Sequence, residues 1–232
     1  MKKKTITLLL PTLNEVTGFK AIFPKIDTSL FDEVLVIDGG STDGTIEYAK
    51  SQNLNIIMQK EKGLGPAVME AISIIKTDCV IEFSLDGNCM VEQLEPLVRN
   101  LLRGDDLVVV SRYLPPAISY DDTYTTAFGN KMFTFFISLL GKFKPTDTLT
   151  IYRGFDVKIA KYPEFKKFMY GPVFEPLISA VAIYRNLNIS EIPGDEPARI
   201  GGTSKMSVIY NGLCIVLCIV RMYILKILKI TV

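Results

Sequence analysis

The sequence predicts an α/β fold, an open and mostly parallel sheet with helices on both faces. Short strand-like runs alternate with helix-like segments through the first half of the 232 residues, as in sheets built from successive strand–helix units. The strand-like runs are continuous, apolar and rich in β-branched residues, as expected for strands covered on both faces. The hydrophobic content of 48% is sufficient for one large core.

The elements of the first half follow one another in regular order. The strands are predicted at TITLLLP, EVLVIDG, LNIIMQK, CVIEFSLDG and DLVVVSRY. The helices between them are predicted at FKAIFPKI, GTIEYAKSQ, GLGPAVMEAISIIK and EQLEPLVRNLLRG. The apolar run in MKKKTITLLLP ends at Pro11. That run is too short for the apolar region of a signal peptide, so we interpret the segment as the first strand.

From about residue 115 the alternation changes to a mixed pattern. AFGNKMFTFFISLLGK predicts a Phe-rich helix, PTDTLTIYRGFDV a loop with a strand, VFEPLISAVAIYRN a helix and LNISEIP an edge strand. EPARIGGTSKM is predicted as a flexible basic loop before the last helix. No internal repeat or low-complexity linker occurs, so we expect one domain over residues 1–207 and a helical appendage over residues 208–232.

The last helix is predicted to be apolar, with its charges near its end. No charged residue occurs from Met206 to Val220, and Arg221, Lys226 and Lys229 follow. At about 100° per residue these three cations share one face, a pattern typical of an amphipathic helix at a membrane surface. The alternatives are a helix that spans the membrane, and a helix of the protein core or of a homo-oligomer with its lysines in solvent.

The composition excludes several classes of chemistry. The chain has no histidine, which excludes Ser-His-Asp and Cys-His nucleophiles and every histidine metal site. Any metal must therefore bind oxygen ligands, as Mg²⁺ and Mn²⁺ do. The formal net charge of +1 predicts no nucleic-acid partner.

Polar motifs follow the predicted strands at their carboxyl ends, which meet at one edge of an open α/β sheet, where ligands bind. In chain order these motifs are PTLNE, DGGSTDGT, EKGLGPA, SLDGN and SRY. Asn14, Glu15 and Asp38 are candidate ligands for a nucleoside, and Gly65 lies in the Gly-rich third motif. The alternatives are a helix cap at Asn14 and Glu15 and a plain turn at Asp38.

Seven motifs together carry a family resemblance. PTLNE, DGGSTDGT, GLGPA, SLDGN, SRY, TDTLTIYRGF and RIGGTSK occur in this order over about residues 5–210. In this order and spacing the chain resembles a family 2 glycosyltransferase with the GT-A fold. It is most similar to the branch that contains dolichyl- and polyprenyl-phosphate mannose and glucose synthases. The resemblance implies nucleoside contacts at Pro11, Glu15 and Asp38. It implies phosphate contacts at Arg199, Ser204 and Lys205.

Two acids of the family pattern are absent. Gly39 follows Asp38 where a second acid is usual, and the Asp-x-Asp metal motif has Ser84 in place of its first acid. Asp86 and Asn88 remain as oxygen donors. Mg²⁺ often needs only one or two carboxylates beside phosphate oxygens. We therefore expect Asp86 and Asn88 to bind a divalent cation, Mg²⁺ or Mn²⁺, with the donor diphosphate; a turn-forming Asp-Gly-Asn is the alternative.

Two hypotheses remain open for the acceptor. A hydroxyl acceptor requires a general base, and Asp147 is the candidate because the chain has no histidine. A polyprenyl phosphate is already anionic; it requires cations, for which Arg112, Arg199 and Lys205 are candidates. Its tail requires an apolar surface, which the Phe-rich and last helices offer.

We therefore expect an inverting transferase with Asp86, Asp147 and Arg112 as catalytic candidates. It would move a hexose from a GDP- or UDP-sugar to a polyprenyl phosphate, peripherally at the cytoplasmic face of a membrane. Transfer to a saccharide or glycolipid hydroxyl is the alternative. A non-catalytic nucleotide-sugar-binding protein is the alternative of another class.

Overall fold

The computed structural model describes residues 4–200 and 207–228. One sheet contains seven strands of this described chain. They are β1 (Ile6–Thr12), β2 (Glu33–Asp38), β3 (Asn55–Met58), β4 (Cys79–Glu82), β5 (Leu107–Ser111), β6 (Arg153–Asp156) and β7 (Ile189–Pro193).

Six of these strands run in the same direction. Their order across the sheet is β3-β2-β1-β4-β6-β5-β7. β1 pairs in parallel with β2 and β4, β2 with β3, and β5 with β7. β6 is antiparallel to both of its neighbours, β4 and β5. The open, mostly parallel sheet is confirmed, with β7 at an edge as predicted.

Eight α-helices accompany the sheet in the described residues. They are α1 (Val16–Ile22), α2 (Thr45–Ser51), α3 (Leu64–Ile74), α4 (Leu94–Arg103), α5 (Tyr124–Ser138), α6 (Pro163–Phe168), α7 (Phe174–Tyr184) and α8 (Val208–Leu228). Helix α6 was not predicted from the sequence, because six residues are too few to show a helical period of apolar residues.

Alternate residues of the central strands enter two separate cores. In β1, Leu9 joins a cluster with residues of α3, α5, α7 and α8, whereas Leu8 and Leu10 join a cluster with residues of α1 and α4. All three leucines are fully buried. Successive side chains of a strand point to opposite faces, so helices cover the sheet on both sides, as the apolar strands predict.

The last helix, α8, buries one side against the protein and exposes apolar residues on the other. Cys214, Cys218 and Met222 are buried in the cluster that also contains α5 and α7. The exposed apolar residues are Val208, Ile209, Leu213, Val216, Leu217, Val220, Ile224, Ile227 and Leu228. The helix has 21 residues and a mean hydropathy of 2.1, so its length and composition would allow it to cross a membrane.

The basic residues of α8 contact protein groups. The Arg221 guanidinium lies over the Tyr170 ring, 4.8 Å from its centroid. Lys226 Nζ donates a hydrogen bond of 2.7 Å to the carbonyl of Leu139, beyond the end of α5. Lys229, the third cation of the predicted basic face, lies outside the described residues. Arg221 and Lys226 therefore help to seat α8 on the protein.

Candidate functional site

Hydrogen bonds join the loops after β1 and β2 into one unit. Asn14 Oδ1 accepts from the Thr42 amide at 2.8 Å, and the Asn14 amide donates to Ser41 Oγ at 2.8 Å. Asp43 Oδ2 accepts from the Val16 amide, at the start of α1, at 3.0 Å. The two loops in which the sequence predicts nucleoside ligands therefore lie side by side at the carboxyl edge of the sheet.

Asp38 is fully buried at the end of β2. Its Oδ1 accepts from the amides of Gly40 and Ser41 at 2.8 and 2.7 Å. Its Oδ2 accepts from Thr12 Oγ1 at 2.8 Å and from Ser41 Oγ at 2.6 Å. These four bonds fix the turn after β2 against the end of β1. A direct bond from Asp38 to a nucleoside stays a prediction.

Three other predicted nucleotide ligands have different surroundings. Pro11 and Glu15 are half-buried, in β1 and immediately before α1. Gly65 lies buried inside α3, where a Cβ would approach Met169 Cε to 2.6 Å and the Gly171 carbonyl oxygen to 2.8 Å. Close packing of α3 against the α6–α7 connection accounts for this glycine. Nucleotide contacts of all three residues stay predictions.

A small, partly open cleft lies at the carboxyl ends of β4, β5 and β7. Asp86, Asn88, Arg112, Glu196 and Arg199 are among the residues of its wall. The sheet thus brings the SLDGN and SRY motifs together with Arg199, the first residue of the RIGGTSK motif, although more than 100 positions separate Asn88 from Arg199 in the chain. Ser204 and Lys205, of the same RIGGTSK motif, lie outside the described residues.

The SLDGN turn is covered by the chain that follows β7. Asp86 Oδ1 accepts from the Asn88 amide at 3.0 Å, and the carbonyl of Asp86 accepts from the Ile200 amide at 2.6 Å. Gly87 has a φ of 94°, and a Cβ there would lie 2.6 Å from Ile200 Cγ1. A glycine is therefore required both by the left-handed backbone and by the close approach of Ile200.

Asp86 and Asn88 are suitable ligands for a hard divalent cation. Their exposed fractions are only 8% and 9%. Asn88 Nδ2 donates to Asp121 Oδ2 at 3.1 Å, and Asn88 Oδ1 is buried without a hydrogen-bond partner in the part of the chain described. Such an oxygen is costly to leave unsatisfied, and carboxylate and amide oxygens are what Mg²⁺ and Mn²⁺ prefer.

The protein groups alone form an incomplete cation site. Within residues 4–200 and 207–228, no group of three or more His, Cys, Asp or Glu is arranged to hold a metal ion. The Arg199 guanidinium lies at this place: Nη1 is 3.1 Å from Asp86 Oδ2 and Nε is 3.4 Å from Asp121 Oδ2. A metal ion here would require ligands from elsewhere, such as phosphate oxygens.

Arg112 and Asp147 form a buried bidentate pair beside this group. Arg112 Nε lies 2.7 Å from Asp147 Oδ2 and Nη2 lies 3.1 Å from Oδ1. Oδ1 also accepts from the amides of Leu149 and Thr150 at 3.0 and 3.2 Å. The remaining nitrogen of the arginine, Nη1, is 3.3 Å from Glu196 Oε1.

The charges of this pair oppose the effect of burial on both groups. Burial alone would raise the pKa of Asp147, but the charge and hydrogen bonds of Arg112 outweigh it and lower that pKa below its ordinary value. Burial would lower the pKa of Arg112, and its acidic neighbours raise it well above its ordinary value. Asp147 is thus a weak base with both oxygens occupied, and the geometry favours a positioning role through Arg112 over proton abstraction.

Two residues of the site, Glu196 and Asp121, were not predicted from the sequence. Glu196 follows β7, which is parallel to β5, so the rule about strand ends would have found it if applied to the last strand. Asp121 lies in the long connection between β5 and α5. No spacing relates Asp121 to the SLDGN motif, so only the folded chain brings them together.

Comparisons with known proteins identify the family of this chain. A family model described as "Glycosyl transferase family 2" matches residues 7–162. The UDP-N-acetylglucosamine–dolichyl-phosphate N-acetylglucosaminyltransferase of Methanococcus voltae is 25% identical, over 83% of this chain and 86% of that protein. Glycosyltransferase AglJ of Haloferax volcanii is 33% identical over 47% of this chain, and the match spans 36% of that relative. The dolichol-phosphate mannosyltransferase of Pyrococcus furiosus is 29% identical over 47% of this chain, and 33% of that relative is covered.

Solved structures show the same architecture. Glucosyl-3-phosphoglycerate synthase from Mycobacterium tuberculosis, in complex with Mn²⁺, uridine diphosphate and phosphoglyceric acid, has a TM-score of 0.73 and 18% identity. The match covers 94% of this chain and 78% of that one. The same synthase with Mg²⁺ and uridine diphosphate also gives 0.73 and 18%. At this identity the likeness concerns the fold alone.

Proposed function

The chain belongs to glycosyl transferase family 2 and has the GT-A fold, and from that premise we propose that it transfers a hexose from a UDP- or GDP-sugar to a polyprenyl phosphate at a membrane surface. The observation that carries the proposal is the cleft at the carboxyl ends of β4, β5 and β7. Buried oxygen donors of Asp86 and Asn88 lie there beside the fixed guanidinium of Arg112 and that of Arg199. A phosphorylated donor and an anionic acceptor match this combination of charges.

Asp86 and Asn88 would hold the divalent cation, Mg²⁺ or Mn²⁺, together with the donor diphosphate. Both ions accompany uridine diphosphate in the solved synthase structures of similar fold. When bound, the cation offsets the negative charge that collects on the departing nucleoside diphosphate. Asp86 supplies the carboxylate, and Asn88 offers the buried amide oxygen that has no partner among the described residues.

A phosphate acceptor requires no general base in this cleft. One of its oxygens forms a bond to the anomeric carbon while the bond from that carbon to the β-phosphate oxygen breaks. The departing nucleoside diphosphate takes the electron pair, and a single displacement inverts the anomeric carbon. A phosphate monoester with a second pKa of about 6 is largely deprotonated at neutral pH, so no proton must be removed.

Arg112 is the residue that would orient the acceptor phosphate. Its guanidinium is fixed by two bonds to Asp147 and keeps its charge because its pKa is raised. Because Asp147 is used in this way, it is not available as the base that a hydroxyl acceptor would require. Arg199, Ser204 and Lys205 are the further phosphate contacts that we propose.

An apolar surface for the lipid tail lies next to the cleft. Helix α5 begins near Asp121 and exposes Phe128, Phe135 and Phe136. Tyr223 Oη of α8 donates to the Phe136 carbonyl at 2.8 Å, so the exposed apolar side of α8 adjoins that of α5. We propose that these two helices rest on the membrane, peripherally at its cytoplasmic face. The M. voltae and P. furiosus relatives are named as transferases that act on dolichyl or dolichol phosphate.

A matrix of donors and acceptors tests the proposal. The full chain is incubated with Mn²⁺ or Mg²⁺, each of several UDP- and GDP-sugars, and a short polyprenyl phosphate, the corresponding polyprenol or a saccharide. We expect one donor to give a lipid-phosphate sugar, no product with the polyprenol, and no product after Asp86→Ala. Transfer only to the saccharide would support the hydroxyl-acceptor alternative. Nucleotide binding without transfer to any acceptor would support the non-catalytic one.

A further inference from the structure

We propose that Asp121, in the connection between β5 and α5, supplies the second carboxylate of the cation site. It would replace the first acid of the family's metal motif, a position at which this chain has Ser84. This inference deepens the proposed function and rests on it. In the conformation seen here the Arg199 guanidinium occupies the place between Asp86 and Asp121 as a substitute cation. Metal and nucleoside diphosphate would replace it there.

The contacts of Arg199 are the first evidence. One guanidinium lies within salt-bridge distance of both carboxylates, at 3.1 Å from Asp86 Oδ2 and 3.4 Å from Asp121 Oδ2. Two carboxylates with one guanidinium leave a formal charge of −1, whereas a divalent cation would neutralise both. The released Arg199 could then pair with the phosphates, since a guanidinium suits phosphate oxygens as well as carboxylates.

The amide of Asn88 is the second and independent evidence. Its Nδ2 donates to Asp121 Oδ2 at 3.1 Å, so Asp121 is already joined to one expected ligand. Its Oδ1 is buried and has no hydrogen-bond partner in the described chain, although the residue lines the cleft. An oxygen donor that is buried and unsatisfied beside two carboxylates is what a hard cation requires.

Both chain neighbours of Asp121 are held in place, the preceding one by its backbone and the following one by its side chain. The Tyr120 amide donates to the Glu196 carbonyl at 2.9 Å, and Ser119 and Glu196 form a short parallel bridge. On the other side, the Asp122 carboxylate accepts from Tyr113 Oη. The Asp121 side chain itself is 36% exposed, so it has room to move towards a metal ion while its backbone stays in place.

Mn²⁺ binding measured by electron paramagnetic resonance tests this assignment without depending on turnover. The full chain is titrated with Mn²⁺ alone, with UDP and with GDP. Asp121→Asn should weaken Mn²⁺ binding in the presence of nucleotide by about tenfold or more, as expected when a ligand is removed. Asp122→Asn is the matched control: it removes the same charge from the adjacent residue, and Mn²⁺ affinity should change less than about twofold.

Two further variants distinguish the loss of a metal ligand from a loss of folding in Asp121→Asn. Asp121→Glu keeps the carboxylate and should keep most of the Mn²⁺ affinity. Arg199→Gln removes the competing cation and should strengthen Mn²⁺ binding when no nucleotide is present, the opposite sign to Asp121→Asn. Equal Mn²⁺ affinity in the unchanged chain and Asp121→Asn, or an equal loss in Asp122→Asn, would overturn the assignment.

The outcomes separate this inference from the proposed function. Sugar transfer by the unchanged chain, with Mn²⁺ affinity insensitive to Asp121→Asn, would overturn the role of Asp121 and leave the transferase intact. Sugar transfer with no Mn²⁺ bound in the presence of either nucleotide would overturn the cation site. Absence of both transfer and Mn²⁺ binding would overturn the two proposals together.

Discussion

Replacement of Asp147 by Asn should destabilise the protein mainly because it leaves Arg112 without its buried partner. Asp147 is fully buried, and the Arg112 side chain is 11% exposed. Removal of one partner from a buried ion pair costs about 3–5 kcal/mol. Glu196 still lies 3.3 Å from Arg112 Nη1 and compensates part of the loss. We therefore expect a free energy of unfolding lower by about 3 kcal/mol, the lower end of that range.

A double-mutant cycle in urea measures the interaction directly. Asp147→Asn, Arg112→Gln and the double variant are unfolded at neutral pH. The loss of unfolding free energy in the double variant should be smaller, by about 2 kcal/mol, than the sum of the losses in the two single variants. Each single replacement leaves one buried group without its partner, whereas the double replacement removes both groups. Additive effects of the two replacements would show that the pair does not act as a unit.

The same variant distinguishes positioning from base catalysis. If Asp147 acts through Arg112, Asp147→Asn should raise KM for the phosphate acceptor more than it lowers kcat. The pair stabilises the native chain fully above the ordinary pKa of 3.8, and this contribution is lost as the pH falls through the lower folded-state pKa. The Asp147→Asn variant should not show this loss of stability at acid pH, because it has no carboxylate at this position to protonate. A fall in kcat of about a hundredfold or more with acceptor binding intact would refute this reasoning and support a base.

Three further predictions concern the surroundings of the site and the proposed membrane surface. Gly18→Ala places a Cβ 2.1 Å from the Leu85 carbonyl oxygen, so urea unfolding should show a loss of about 1–3 kcal/mol; unchanged stability would contradict the close contact. Burial raises the pKa of Glu82 well above its ordinary value, so native stability falls as the pH rises from that ordinary value. Glu82→Gln should gain stability relative to the unchanged chain as the pH rises above that ordinary value, and a constant difference would contradict this sign. Leu213→Glu and Val220→Glu, at positions 66% and 46% exposed, should reduce flotation with liposomes without changing the unfolding midpoint; undiminished flotation would exclude this face as the membrane contact.

The strand-end rule located much of the site because parallel strands converge at one edge. Arg112 directly follows β5, Asp86 lies in the loop that follows β4, and both line the cleft. The rule does not indicate which polar group meets which. That Asp147 binds Arg112 depends on how the chain folds between α5 and β6, about which local pattern carries no information.

Residues whose chemistry is ambiguous in a sequence were harder to interpret. Gly65 fits a phosphate loop as a motif, yet its missing Cβ is required by Met169 and Gly171, which lie about a hundred positions away. Arg221 and Lys226 share a helix face, a pattern that predicts a basic face but not its partners. In the structure the Tyr170 ring lies beside Arg221, and the Leu139 carbonyl accepts from the exposed Lys226. Helical periodicity specifies the face of a residue but not its tertiary neighbour.

The position of β6 determines when this cleft can exist during synthesis. β4 and β5 have no direct pairing and are joined through β6, which is not made until residues 153–156 emerge. The first four strands are neighbours in the order β3-β2-β1-β4, so their mutual pairings involve no later strand. Asp86 and Arg112 cannot reach their final separation until about two thirds of the chain has been translated. The loops after β1 and β2 are thus built entirely from the first half of the chain, whereas the cleft depends on a strand from the second half.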